Sequence, residues 1–300
     1  MGKHNRLSRS MNWTHSEHPA STFALAALGN ACLAATEQGL WRWNAKKSWQ
    51  LIAPQFAQVP ISAIATSGKI ILIGSADGVA RSDDSGTTWA LATLPIKAHV
   101  LALALSPCFD QDNIAWAATA QDGVLRSPDG GVTWHAWNFG LLDLGVNALL
   151  ASPSFGEDET VYVATEHGVF ISENQGRAWR EFGFPNEAGP VTALAMGYRQ
   201  LANSPCPIFA ATEGNGLWQC RENVWSRVAS LKAENVNGLI NTNTETIAAT
   251  TDGVYASADS KKWRKLSDAE DGVCLLKLGE QLIIGTAGGG MWHAGHSSPT

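Results

Sequence analysis

Residues Gly74 to Trp89 read GSADGVARSDDSGTTW; the stretch returns at Ala118 to Trp134 as ATAQDGVLRSPDGGVTW and, in weaker form, at Ala164 to Trp179 as ATEHGVFISENQGRAW. A strand ends in a small residue and Thr or Ser, a turn closes on Gly, and a second strand leads into Ser-x-Asp-x-Gly-x-Thr-Trp. Short side-chain oxygens can bond nearby backbone N–H groups and hold a turn without help from a core. Ser82 and Asp84 are placed to do this, as are Ser127 and Asp129. Gly86 and Gly131 can take the positive φ of the reversal, Thr88 and Thr133 start the returning strand, and Trp89 and Trp134 bring apolar surface to bury. These aspartates read as scaffolding rather than catalytic groups.

The glycine closing the first turn sets a register along the whole chain: Gly39, Gly78, Gly123, Gly168, Gly216, Gly253 and Gly290, at intervals of 39, 45, 45, 48, 37 and 37 residues. That is the period of a propeller blade. An apolar strand opens each unit, from FALAAL at Phe23 to VCLLKL at Val273, and a tryptophan starts the last strand in six units: Trp49, Trp89, Trp134, Trp179, Trp225 and Trp263. The seventh unit lacks that strand, and the missing tryptophan stands at the other end of the chain, in Met11-Asn12-Trp13-Thr14. The fold expected is all-β: a seven-bladed propeller of four-stranded antiparallel blades, its ring closed by the N-terminal strand. Six blades would result if the first or last unit were malformed. Residues 1–10 read as a flexible basic tail, and 11–298 as one propeller domain whose last blade joins 271–296 to a strand from 11–19.

The boxes SDDSGTTW and SPDGGVTW resemble the Asp-box, or BNR, repeats of sialidase-like propellers. The stretch from Leu103 to Phe155 is similar to the repeat of the broad YVTN/BNR-like group, which includes photosystem II assembly factors, sortilin-type receptors and some glycoside hydrolases. The resemblance implies the fold over nearly the whole chain and implies no one activity, because one fold hosts many functions. Sialidase chemistry would need an arginine trio at the channel mouth. Arg42, Arg81 and Arg126 each follow a marker glycine by three residues, which puts them on third strands near the boxes. Tyr162 and Tyr255 fall on expected strands and Tyr198 in a loop, and no Phe-Arg-Ile-Pro element occurs. Sialidase activity is not expected.

Composition narrows the classes further. Of 300 residues, 45% are hydrophobic and 16% charged, with a net charge of −6, which argues against nucleic acid or an anionic membrane as the main partner. No apolar run approaches a membrane span, and the first residues lack the apolar core of a signal peptide. Five scattered cysteines without a CxxC pair read as reduced thiols in a cytoplasmic monomer. The eight histidines show no metal-binding spacing, and no P-loop or dinucleotide glycine pattern occurs, so no metal or cofactor is expected. Cys274 opens an inner strand and reads as a packed thiol.

Alternating reversals put the boxes and the loops after first strands at one end, and the marker-glycine turns and inter-blade links at the other. In propellers of the resembling kind the second end is the usual binding end. It would carry Glu37, Asp77, Asp122, Glu166, His167, Glu213 and Asp252 on turns, and His15, His18, His99, Glu187 and Asp271 on links. Ser62, Asn147, Thr192 and Asn237, second in their inner strands, would line the entrance. A ring of carboxylates attracts a cation or a cationic group, although Asp-Gly is also ordinary turn chemistry. Two functions fit. The first is a binding or assembly scaffold for a protein, small-molecule or glycan ligand. The second is a hydrolase or lyase with its acid and base drawn from His167, Glu166, Asp122 and Asp77.

Overall fold

The computed structural model describes residues 12–17, 20–43, 48–197, 206–242 and 244–295. The basic tail, His18 and Tyr198 lie outside them. Among the described residues the strands form seven four-stranded antiparallel sheets, each taken from first to fourth strand in chain order except the last. This is the seven-bladed propeller expected from the glycine register.

The inner strands run Thr22–Leu28, Ile61–Ser67, Val100–Leu105, Val146–Ala151, Val191–Met196, Val236–Asn241 and Gly272–Leu278. All seven line an axial channel of about 260 Å³. Their neighbours, the second strands, are covered on both faces by adjoining blades. They therefore read as unbroken small and apolar runs: Ala34 and Ala35, Ala117 and Ala118, Ala210 and Ala211, and Ala248 and Ala249 are fully buried. Close approach of two sheets leaves room for a methyl group and little more.

Each second strand from the first blade to the seventh ends in a residue that fastens the marker turn. Thr36 donates its hydroxyl to the Gly39 carbonyl at 2.9 Å, Thr119 to Gly123 at 2.8 Å, Thr212 to Gly216 at 2.8 Å and Thr250 to Gly253 at 2.7 Å. The marker glycines all have positive φ, between 73° at Gly123 and 153° at Gly168. An L side chain rarely adopts that conformation, so the register is carried by backbone need.

Pairing of every inner strand skips its second residue, which sits in a bulge. Four of these residues are polar, and they reach the next blade. Ser62 donates to the Val100 carbonyl, Asn147 to Val191 at 3.2 Å, Thr192 to Val236 at 3.0 Å and Asn237 to Gly272 at 3.0 Å. They line the channel, and they also clasp one blade to the next at the first inner-strand carbonyl.

Closure follows the sequence reading. Asn12–Ser16 pairs with Met291–Gly295 in antiparallel register, Trp13 opposite Ala294 and Ser16 opposite Met291. The Trp13 indole donates to the Leu266 carbonyl of blade six at 3.0 Å. Trp179 and Trp225 make the same backward bond, to Trp137 and Phe182, each at 2.8 Å. His15 belongs to this outer strand rather than to a link, with its ring 4.8 Å from that of Trp292. Two one-turn helices, Phe109–Asp112 and Phe155–Asp158, are additions the all-β reading did not contain. Each buries its phenylalanine and is held by a serine–aspartate bond of 2.6 Å, Ser106 to Asp112 and Ser152 to Asp158.

Candidate functional site

Bonds between loops separate the two ends of the ring. At one end the boxes meet the loops that follow first strands: the Ser85 amide donates to the Lys69 carbonyl and Gln175 to Glu159. In the box of blade two, Gly86 donates to the Ser82 hydroxyl at 2.9 Å, while Thr88 gives its amide (2.8 Å) and hydroxyl (2.7 Å) to Asp84. Ser127, Asp129, Gly131 and Thr133 repeat the arrangement in blade three. The indoles of Trp89 and Trp134 donate back to the Gly86 and Gly131 carbonyls. Bonds from Thr88, Ser82 and Thr87 pull the Asp84 carboxyl down to about 2. At Asp129 burial pushes upward, but the bonds from Thr133, Ser127 and Val132 outweigh it and hold the carboxyl below its ordinary value.

The three repeated arginines belong to this end. Arg42 donates to the Ser85 carbonyl at 2.7 Å, Arg81 to Gly130 at 3.0 Å, and Arg126 to the Gln175 side chain at 3.0 Å. Each therefore staples its blade to the box of the next. The Arg126 guanidinium also lies 4.5 Å from the centre of the Trp137 ring. These three arginines do not converge on the channel.

At the opposite end the marker turns meet the links. Glu37 donates its amide to Ser21, Ala120 to His99, Gly123 to Leu144 and Glu213 to Pro190. Three of the carboxylates placed here by sequence have nearby partners, two of them on links. Glu37 accepts from the Ser21 amide, and Asp77 pairs with Lys97 at 2.6 Å. The Asp122 amide donates to Thr119. Asp252 accepts from the Tyr255 hydroxyl and shares the Thr250 hydroxyl proton with the Gly253 carbonyl. Burial pushes the Asp252 carboxyl up, and those two bonds more than offset it. Glu187 occupies a short 3-10 turn, and the Asp271 backbone carbonyl holds the last marker turn by accepting from the Ala287 amide.

Blade four differs. Its marker turn, with the link entering it and the link leaving it, encloses a cavity of about 630 Å³. Apolar walls come from Leu142, Leu144, Val169, Phe170 and Phe184, and the polar groups are Asp143, Glu166, His167, Glu181 and Asn186. His167 and Glu166, adjacent in sequence, are thus brought together, but the partner of His167 is Asp143, a residue the sequence reading did not single out. Its Oδ2 lies 2.8 Å from His167 Nδ1, and its Oδ1 accepts from the Gly145 amide at 3.0 Å. Burial pushes the Asp143 carboxyl up, yet the bonds from His167, Gly145 and Thr165 win and hold it down. The same contact raises the His167 pKa, through the hydrogen bond first and the charge second. A smaller cavity of about 320 Å³ lies at the same place on blade two, between Phe56, Val59, Asp77 and Leu91.

Three exposed apolar side chains line these cavities: Leu91 at blade two, and Leu142 and Leu144 at blade four. Among the described residues eight large hydrophobic side chains are exposed, and six of them fall between Leu91 and Leu144. Phe139 is 81% exposed, Leu142 77% and Ile96 45%, all on the links into blades three and four. Elsewhere, burial pushes the Cys274 thiol up and its sulfur faces the Thr22 carbonyl, in keeping with a packed thiol. No group of side chains able to hold a metal, and no helix long and apolar enough to cross a membrane, occurs among the described residues.

No protein-family profile matches the chain, and no curated protein matches it in sequence. Solved structures share its fold. YCF48 bound to D1 peptide superposes with a TM-score of 0.70 at 14% identity, over 97% of this chain and 96% of that one. A GH74 xyloglucanase from Xanthomonas campestris gives 0.72 at 16% identity over 94% of this chain, which spans 53% of the enzyme. The extracellular domain of a hybrid two component system from B. thetaiotaomicron gives 0.77 at 12% identity, over 96% of this chain and 40% of that one. At these identities the likeness is one of architecture.

Proposed function

We propose that this chain is a binding module that takes a segment of another protein at the marker-turn end, over blades two to four. The observation carrying the proposal is the open cavity at blade four with the exposed side chains of Leu142 and Leu144 on its wall. Apolar side chains gathered on one surface of a soluble fold commonly mark a protein contact. On this reading the boxes are the Asp-box of BNR-like propellers and serve as scaffold. The peptide held by YCF48 is a parallel within the same architecture.

The hydrolase reading has less support. A glycosidase needs two carboxyl groups across one cleft, one of them raised so that it can donate a proton. Every carboxyl here with a displaced pKa is displaced downward: Asp84, Asp129, Asp143, Asp252 and Asp259. The His167–Asp143 pair has no serine, threonine or cysteine among the residues lining its cavity.

The test is selection of displayed random 12-residue peptides on the immobilised protein. Peptides rich in apolar residues should be recovered, should bind the Asp84→Ala protein, and should lose binding to a Leu142→Asp, Leu144→Asp variant that melts normally. Recovery of none above background, or binding that survives the second variant, would overturn the proposal.

A further inference from the structure

We infer that the cavity at blade four is the subsite for one lysine or arginine side chain of the docked segment; the inference rests on the docking reading above and names the chemistry it selects. A long basic side chain has an apolar stem and a charged head, and it is held best where apolar walls lead to carboxylates. The cavity has this layout. Leu142, Leu144 and Phe184 supply walls, while Asp143, Glu166 and Glu181 supply the charge.

Blade two shows what such a carboxylate does when a cation is within reach. There Asp77 on the marker turn is met by Lys97 of the same chain at 2.6 Å. Blade four has no equivalent. Arg180, next to Glu181, turns instead to Glu173 at 2.9 Å, and neither Glu166 nor Glu181 has an ion-pair partner among the described residues. The one basic group in the cavity is His167, already bonded to Asp143. The charge left over is negative, with an exposed apolar surface leading up to it, so the complementary occupant is a cationic side chain flanked by apolar ones.

His167 tunes the subsite. The groups acting on it are Asp143 from the incoming link and Glu166 on its own turn, and Glu181 from the outer strand lines the same cavity. When protonated, His167 offsets part of their charge; when neutral, it does not. Affinity for a basic side chain therefore rises as pH rises through the His167 titration.

The probes are acetyl-Leu-Lys-Leu-methylamide and its norleucine counterpart, titrated into ¹⁵N-labelled full-length protein and followed by amide shifts. Saturable shifts in residues 142–145 and 166–170 are expected, with the lysine peptide at least about tenfold tighter and tightening further from pH 6 to pH 8. In the Glu166→Gln, Glu181→Gln protein that preference should fall below about threefold while the norleucine affinity holds. His167→Ala should abolish the pH dependence. Equal affinity for the two peptides overturns the cation subsite and leaves the docking reading standing. No saturable shift with either peptide overturns both.

Discussion

Replacing Trp13 by alanine tests the closure of the ring at one side chain. The indole packs on the apolar cluster between blades six and seven, as do Leu266, Ile240 and Trp292, and gives its N–H to the Leu266 carbonyl. A fully buried tryptophan lost to alanine costs roughly 3–5 kcal/mol, so a half-buried one should cost about 2 kcal/mol. The hydrogen bond adds about 1 kcal/mol. Unfolding entropy of about 2.1 cal/mol/K per residue makes each kcal/mol worth between 1 and 2 °C, roughly, in a chain of this length. Trp13→Ala should therefore lower Tm by about 5 °C, read by differential scanning calorimetry. Removing residues 1–19 takes away the entire Asn12–Ser16 strand and bares the edge of Met291–Gly295. That protein should melt far lower and aggregate, and a synthetic peptide of residues 10–20 should recover part of the loss. A Trp13→Ala protein melting within 1 °C of the parent, or a truncated one melting like the full chain, would refute closure by this strand.

Two further changes probe the ends of the ring. Asp129→Ala should cost about 1 kcal/mol by urea denaturation, and Asp129→Asn less than half of that. Asn174 already fills this position in blade four and accepts from Ala178 and Ser172 through its Oδ1. Because Asp84 titrates near 2 in the folded chain, its bonds should stabilise fully above its unfolded value of 3.8 and fade only as pH falls toward 2. At the other end, His167 should titrate above 6.5 by NMR, and Asp143→Asn should return it toward that value. The His167 bond accordingly contributes at low pH and is lost as pH rises through the raised pKa, while the Asp143 share is lost as pH falls through the lowered one.

The architecture was legible because its determinants are local. A positive φ needs glycine, a box needs short oxygens at fixed offsets, and an outer strand needs its tryptophan; each leaves a mark within a few residues. Closure was legible because one missing tryptophan had one place to come from. The two four-residue helices left no periodicity to read. The site was only partly legible. Turn position placed Glu166 and His167 at the marker-turn end, but the choice of Asp143 as partner depends on how the link from blade three passes the turn of blade four, 24 residues away in sequence. The arginines pose the same problem. Their third-strand position was readable, whereas their bonds to the next box depend on the angle between blades.

The most direct test of the account is a hydrogen-exchange footprint of a display-selected peptide on the full chain. Slowed exchange is expected in residues 92–99, 139–145 and 166–170, with none at the boxes around Asp84 and Asp129. Protection centred on the boxes, with the blade-four cavity unchanged, would contradict it.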